Sequence, residues 1–189
     1  MITQEDLGYS KDLVFPQDEF FIDNAERILE FLHTYEIKTF VEVGVYHGRV
    51  AEYLLKNYKF DKYFVVDNWS NKNSGLEAYQ QEAMDIIRFD CFNRLSQFRN
   101  VSIIQGNSAE SADMFSSKSV DAVFIDASHD EESVVKDIIA WHRVPKKLFF
   151  GDDYFLGTVQ GAVKRIYGDL EQIVNGKTGY CVFWKRREE

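Results

Sequence analysis

The sequence is poor in proline and in cysteine, with two of each among 189 residues. So few prolines leave little to mark interdomain linkers. Cys91 and Cys181 stand apart, without the C-x-x-C spacing of a zinc or redox motif, and two isolated thiols build no disulfide framework. A reducing, cytoplasmic setting suits them. No apolar run approaches the roughly 18 residues that a bilayer span requires, and the polar, acidic opening MITQEDLGYSKD carries no recognisable export signal. Positive charge is also short: 22 Lys and Arg face 31 Asp and Glu, for a formal charge of -9. That field repels phosphate backbones, so nucleic acid is a disfavoured partner. The basic cluster Lys185-Arg186-Arg187 suits a solvated strand end.

What is present is a hydrophobic content of 45%, with 16 Phe, 10 Tyr and 3 Trp, enough for one well-packed core. A single domain over 1–189 is expected, with 1–37 as an N-terminal helical lead-in and 38–184 as a cofactor-binding core. Asp23 and Glu26 have capping-box spacing and open a helix through Ala25, Ile28, Leu29 and Leu32. Strand-like runs follow at Lys38–Val43, Tyr63–Val66, Val101–Ile104, Val120–Ile125 and Leu148–Phe150. Helical spacing falls between them: 48–57, a long region from the Ser74/Glu77 capping pair to Leu95, a short helix in NSAESADMF, and one from Ser128/Glu131 that ends before Pro145. A last helix over 158–167 closes at Gly168, and segments 170–174 and 180–184 flank NGKTG as a hairpin. The order predicts a Rossmann-like α/β fold: a mostly parallel seven-stranded sheet with helices on both faces and a C-terminal antiparallel hairpin.

In an open α/β sheet, ligands sit beyond the carboxyl ends of the strands. There the first strand gives Glu42-Val43-Gly44-Val45-Tyr46-His47-Gly48, with glycines that allow close backbone approach to a ligand or simply a tight turn. His47 fits a helix start better than a ligand. Asp67 ends the second strand, where a carboxylate can accept from both hydroxyls of a ribose. Gly106-Asn107-Ser108 ends the third with small polar groups suited to an adenine edge. The fourth ends at Asp126 in FIDASHD and the fifth in Gly151-Asp152-Asp153. Three converging carboxylates repel unless a cation compensates them, and hard oxygen ligands suit Mg²⁺ or Mn²⁺.

Over residues 38–184 these ordered motifs resemble class I S-adenosylmethionine-dependent methyltransferases. The resemblance implies that Gly44 and Gly48 flank the methionine moiety and Glu42 helps to place its amino group. Asp67 would hold the ribose, Asn107 and Ser108 would lie near adenine, and Trp69 would cover the adenine face. The acidic pattern narrows the resemblance to metal-dependent small-molecule O-methyltransferases of the macrocin type. It implies Asp126, Asp152 and Asp153 as metal ligands, with Asp126 shared with the cofactor site and His129 as catalytic base. The pattern departs where VPKKLFF replaces the usual Pro-Gly-Gly turn. As the residue after a predicted N-cap at Ser128, His129 should lie in a first helical turn and stay neutral. A small-molecule hydroxyl is the expected acceptor, shaped by loops near 69–75 and 154–158. The alternatives are a metal-independent N- or macromolecule methyltransferase, a noncatalytic cofactor-binding protein and a nucleotide-dependent dehydrogenase.

Overall fold

A computed structural model describes residues 18–70, 81–168, 173–175 and 182–187. Helix α1 (Asp18–Thr34) leads into strand β1 (Thr39–Val43), α2 (Arg49–Asn57), β2 (Lys62–Asp67), α3 (Gln81–Leu95) and β3 (Val101–Gln105). Then come the one-turn α4 (Ser108–Ser111) with its 3-10 extension, β4 (Val120–Ile125), α5 (Glu131–Trp141), β5 (Pro145–Gly151) and α6 (Gly157–Tyr167). Strands β6 (Ile173–Asn175) and β7 (Val182–Arg187) complete the order. Among the described residues no helix is long and apolar enough to cross a membrane.

The sheet runs β3-β2-β1-β4-β5-β7-β6. Strands β1 to β5 pair in parallel, as the alternation of segments predicts. Strand β7 pairs antiparallel with both β5 and β6, while most of the NGKTG segment lies outside the described residues. Strand order reverses between β1 and β4, which opens a crevice at their carboxyl ends.

Alternate strand residues enter opposite faces. Phe40, Tyr63, Phe124 and Phe150 meet Ile28, Leu32, Leu54 and Ile87 on one side. Val41, Val43, Val123 and Phe149 meet Val135, Ile138, Trp141 and Val163 on the other. Much of the aromatic content is therefore core. Phe40 lies 5.2 Å from Tyr63 in an edge-on contact, and Phe124 stacks on Phe150 at 4.9 Å, both favourable geometries.

Strand β7 runs on to Arg187, past the expected end at 184, and three other departures have a physical cause. Helix α1 already runs at Asp18, upstream of the predicted cap at Asp23, because burial of Ala25, Ile28, Phe31 and Leu32 along one stripe favours a long helix over a local capping signal. Strand β5 begins at Pro145 instead of Leu148, since proline is tolerated as the first residue of a strand. Helix α5 is capped by Asp130, whose side chain accepts from the Ser133 amide, and not by Ser128. The Ser74/Glu77 pair lies outside the described residues.

Candidate functional site

The parallel ladder continues past the strand ends and aligns the loops. The Gly44 amide donates to Val66 O at 2.9 Å, Asp126 N to Val43 O at 2.7 Å, Gly106 N to Asp67 O at 3.0 Å and Asp152 N to Ile125 O at 3.0 Å. Gly44 has φ 87°, and a Cβ there would lie 1.9 Å from the Asp126 carbonyl oxygen. The turn after β1 thus presses directly on the end of β4. Three non-glycine residues at these strand ends, Tyr46, Trp69 and Asp153, also have positive φ (51°, 44° and 58°). Such conformations cost free energy and persist where surrounding contacts enforce them.

Asp67 supplies much of that enforcement. Its Oδ2 accepts from the amides of Val45 and Tyr46 at 2.8 and 2.9 Å, and Oδ1 accepts from Trp69 N at 2.8 Å. The Trp69 indole, 1% exposed, donates to Tyr46 O at 2.9 Å. Behind the same turn His47 is buried with Nδ1 2.9 Å from Asp90, and Arg94 joins Asp90 to the His47 carbonyl. These fasteners tie α3 and β2 to the glycine turn. Sequence motifs did not expose them, because a backbone N–H is the same at every non-proline position and the contacts of His47 with Asp90 and Arg94 join residues 43 and 47 apart in the chain.

A cleft of about 270 Å³ lies over the ends of β1 to β4. Gly44, Asp67, Asn107 and Ser108 line it, as do Asn68, Met84, Ser128, Ser133, Lys136 and Asp137. The α5 contribution was not anticipated; its signal was the polar run Ser133, Lys136, Asp137 at i, i+3, i+4 on an otherwise apolar helix. Glu42, Gly48 and Trp69 do not line the cleft. Gly48 (φ 71°) packs against Cys91 and Leu95, where a Cβ would fall 2.9 Å from Cys91 Sγ.

Glu42 is buried under the turn and accepts a hydrogen bond from the Tyr63 hydroxyl. Burial pushes its pKa from 4.5 up to about 8, with the charges of Asp126 and Asp67 adding and the Tyr63 bond opposing. The native protein therefore holds a proton that unfolding releases. Stability is lost as pH climbs from about 4.5 to about 8 and falls no further on this account above it. Glu42→Gln does not titrate, so its unfolding free energy should gain on that of the native protein across this window by on the order of a few kcal/mol. Chemical denaturation from pH 5 to 9 checks this, and parallel curves would contradict it.

Beyond β4 and β5, Asp126, His129 and Asp153 offer ligand atoms all within 4.8 Å of one another. His129 Nε2 lies 2.7 Å from Asp153 Oδ2 and 4.0 Å from Asp126 Oδ1. It precedes the α5 cap and is not in a helical turn, which corrects the expected placement. Its expected neutrality is corrected too: the Asp126 carboxylate and, at closer range, that of Asp153 hold the imidazolium and raise its pKa to about 10. Burial and the neighbouring Asp153 charge raise the pKa of Asp126, against the nearby imidazolium of His129. Asp152, expected as a ligand, is not in this cluster; it is buried, and its Oδ1 accepts from the Asp153 amide at 2.7 Å. The chain turns at once after β5, with Asp153 at φ 58°, and that turn sends its carboxylate to the cluster while Asp152 stays buried.

A profile of the methyltransferase domain family matches residues 41–154, from β1 to the acids after β5. No curated protein matches the sequence. Similar solved structures include spermidine synthase from Thermotoga maritima, with 16% identity and a TM-score of 0.55 over 81% of this chain and 54% of that one. The chain thus spans about half the length of that protein. TomG, the O-methyltransferase from Streptomyces achromogenes involved in tomaymycin synthesis and solved with S-adenosylmethionine, is 13% identical with a TM-score of 0.62, over 86% of this chain and 78% of that one. An O-methyltransferase from Bacillus cereus, solved with S-adenosylhomocysteine, is 13% identical with a TM-score of 0.60, over 95% and 94%. At these identities the likeness establishes the shared fold.

Proposed function

The chain belongs to the methyltransferase domain family, and from that premise we propose that this S-adenosylmethionine-dependent methyltransferase acts on a hydroxyl of a small molecule with the help of Mg²⁺ or Mn²⁺. A macrocin-type sugar, a phenol or another polyol fits the acidic pattern. The observation that carries this reading is the shared β1/β4 edge: Gly44, which lines the cleft, packs on the backbone of Asp126, which belongs to the acidic cluster. A cofactor in the cleft and an acceptor at the cluster would be neighbours.

S-adenosylmethionine supplies a sulfonium whose methyl group is electrophilic. Gly44 lets the backbone come close to it, with Gly48, Glu42 and Trp69 supporting the turn from behind. Asp67 keeps acceptor capacity on Oδ1 for a ribose hydroxyl, since each carboxylate oxygen offers two lone pairs and this one serves one amide. Asn107 and Ser108 border the base.

Asp126 and Asp153 would provide hard oxygen donors suited to a divalent cation, with the His129 imidazole beside them kept as a base and not as a ligand. Asp152 would hold Asp153 in place. A cation held by these acids would supply Lewis-acid chemistry that lowers the pKa of an acceptor hydroxyl. His129 can take that hydroxyl's proton only once the charge of Asp126 and Asp153 is compensated, because those acids otherwise keep it as imidazolium. The base and the metal therefore stand together. Exposed Phe155, two residues past Asp153, offers an apolar wall for an acceptor.

Exhaustive chelation is expected to abolish transfer to a hydroxyl acceptor, and added Mg²⁺ to restore it, as read by S-adenosylhomocysteine formation. Undiminished turnover in excess EDTA would defeat the metal reading.

A further inference from the structure

We propose that Asp137 reads the cofactor's base, accepting a hydrogen bond from the exocyclic amine of adenine. The proposal rests on the cofactor occupying the cleft. Asp137 lines that cleft from α5 yet is only 4% exposed, so what little of it is open faces the ligand space. A fixed neighbour stands beside it: the Trp141 indole donates to both the Ser108 carbonyl (3.1 Å) and the Ser108 hydroxyl oxygen (3.3 Å), which holds Ser108 next to Asp137 with its hydroxyl hydrogen uncommitted. A serine hydroxyl brings one hydrogen, whereas a carboxylate accepts at two oxygens, so Asp137 retains capacity for a further donor.

The position selects which donor. Ser108 follows β3, three strands along the sheet from β4, whose end carries Asp126. If the methyl group is delivered at the acidic cluster, the Asp137 end of the cleft receives the opposite end of the cofactor, which is the base. The donor that adenine presents is its amine. Asn107 competes for it less strongly: its Oδ1 already caps the Glu110 amide at 3.2 Å, its carbonyl takes the Ser111 amide and hydroxyl at 3.0 and 2.7 Å, and a neutral amide oxygen is a weaker acceptor than a carboxylate. A buried carboxylate short of donors is costly, and an amine in the cleft would add one. Consistent with this, burial raises the Asp137 pKa to about 6, with Ser108 opposing and the Asp130 charge adding.

The test titrates native protein, Asp137→Asn and Asp137→Ala with S-adenosylhomocysteine and with its 6-oxo analogue, in which hypoxanthine replaces adenine. Native protein should prefer the amine by roughly ten- to hundredfold, the worth of a hydrogen bond to a charged group. The near-isosteric Asp137→Asn, whose amide can turn its N–H to the 6-oxo group, should gain affinity for the analogue by roughly tenfold. Asp137→Ala should lose the preference. A purely structural role would weaken both ligands together and leave their ratio unchanged, which would overturn the proposal, as would equal binding of the two ligands by native protein. Failure of native protein to bind S-adenosylhomocysteine at all would overturn the cofactor assignment as well.

Discussion

Replacing His129 by alanine is expected to lower kcat on a hydroxyl acceptor by roughly 100- to 10,000-fold, the usual span for loss of a general base, with cofactor affinity essentially unchanged. The separation follows from placement: His129 belongs to the acidic cluster and does not line the cleft. His129→Gln keeps a polar side chain of similar reach but cannot take up a proton near neutral pH, so it should be as slow as alanine. Single-turnover rates with calorimetry on S-adenosylhomocysteine would distinguish the outcomes. If His129 served only to balance the charges of Asp126 and Asp153, saturating Mg²⁺ would restore the variants, and the base assignment would fall.

Gly44→Ala should be the most damaging single methyl addition in the cleft. At φ 87° an L side chain is strained, and the new Cβ would meet backbone, 1.9 Å from Asp126 O and 2.7 Å from Ala127 Cα. Backbone in a parallel ladder cannot swing aside as a long side chain can. Either the turn after β1 lifts away from β4 or the variant fails to fold, at a cost above about 4 kcal/mol. Denaturant titration measures the stability, and S-adenosylhomocysteine affinity in any folded fraction measures the turn. Gly157→Ala is the matched control, because a Cβ there has nothing within 4 Å. Near-native stability and cofactor binding in Gly44→Ala would show that this contact is not needed.

Local pattern was sufficient wherever the relevant force acts along the chain. The β4 boundaries at Val120–Ile125 follow from one apolar run between polar segments, and the end of α6 follows from Gly168, which takes φ 70° after the last helical turn. Capping was less legible. Ser128 and Asp130 both look like caps, and only the folded chain decides that Asp130 takes the Ser133 amide while Ser128 donates its hydroxyl to Asp130. That shift leaves His129 outside the helix, beside the Asp126 and Asp153 carboxylates that hold it as imidazolium.

The sequence by itself determined the alternation of strands and helices, and hence that Gly44, Asp67, Asn107, Asp126 and the 152/153 acids all follow strands at one edge of a parallel sheet. Those facts depend on side-chain period and chain direction, which are local. Tertiary structure alone decided which carboxylates face one another, that His129 joins Asp126 and Asp153 while Asp152 turns inward, and that α5 brings Asp137 to the cleft. Electrostatic state and hydrogen-bond partnership depend on separations of a few ångströms between residues far apart in the chain, and only packing sets those separations.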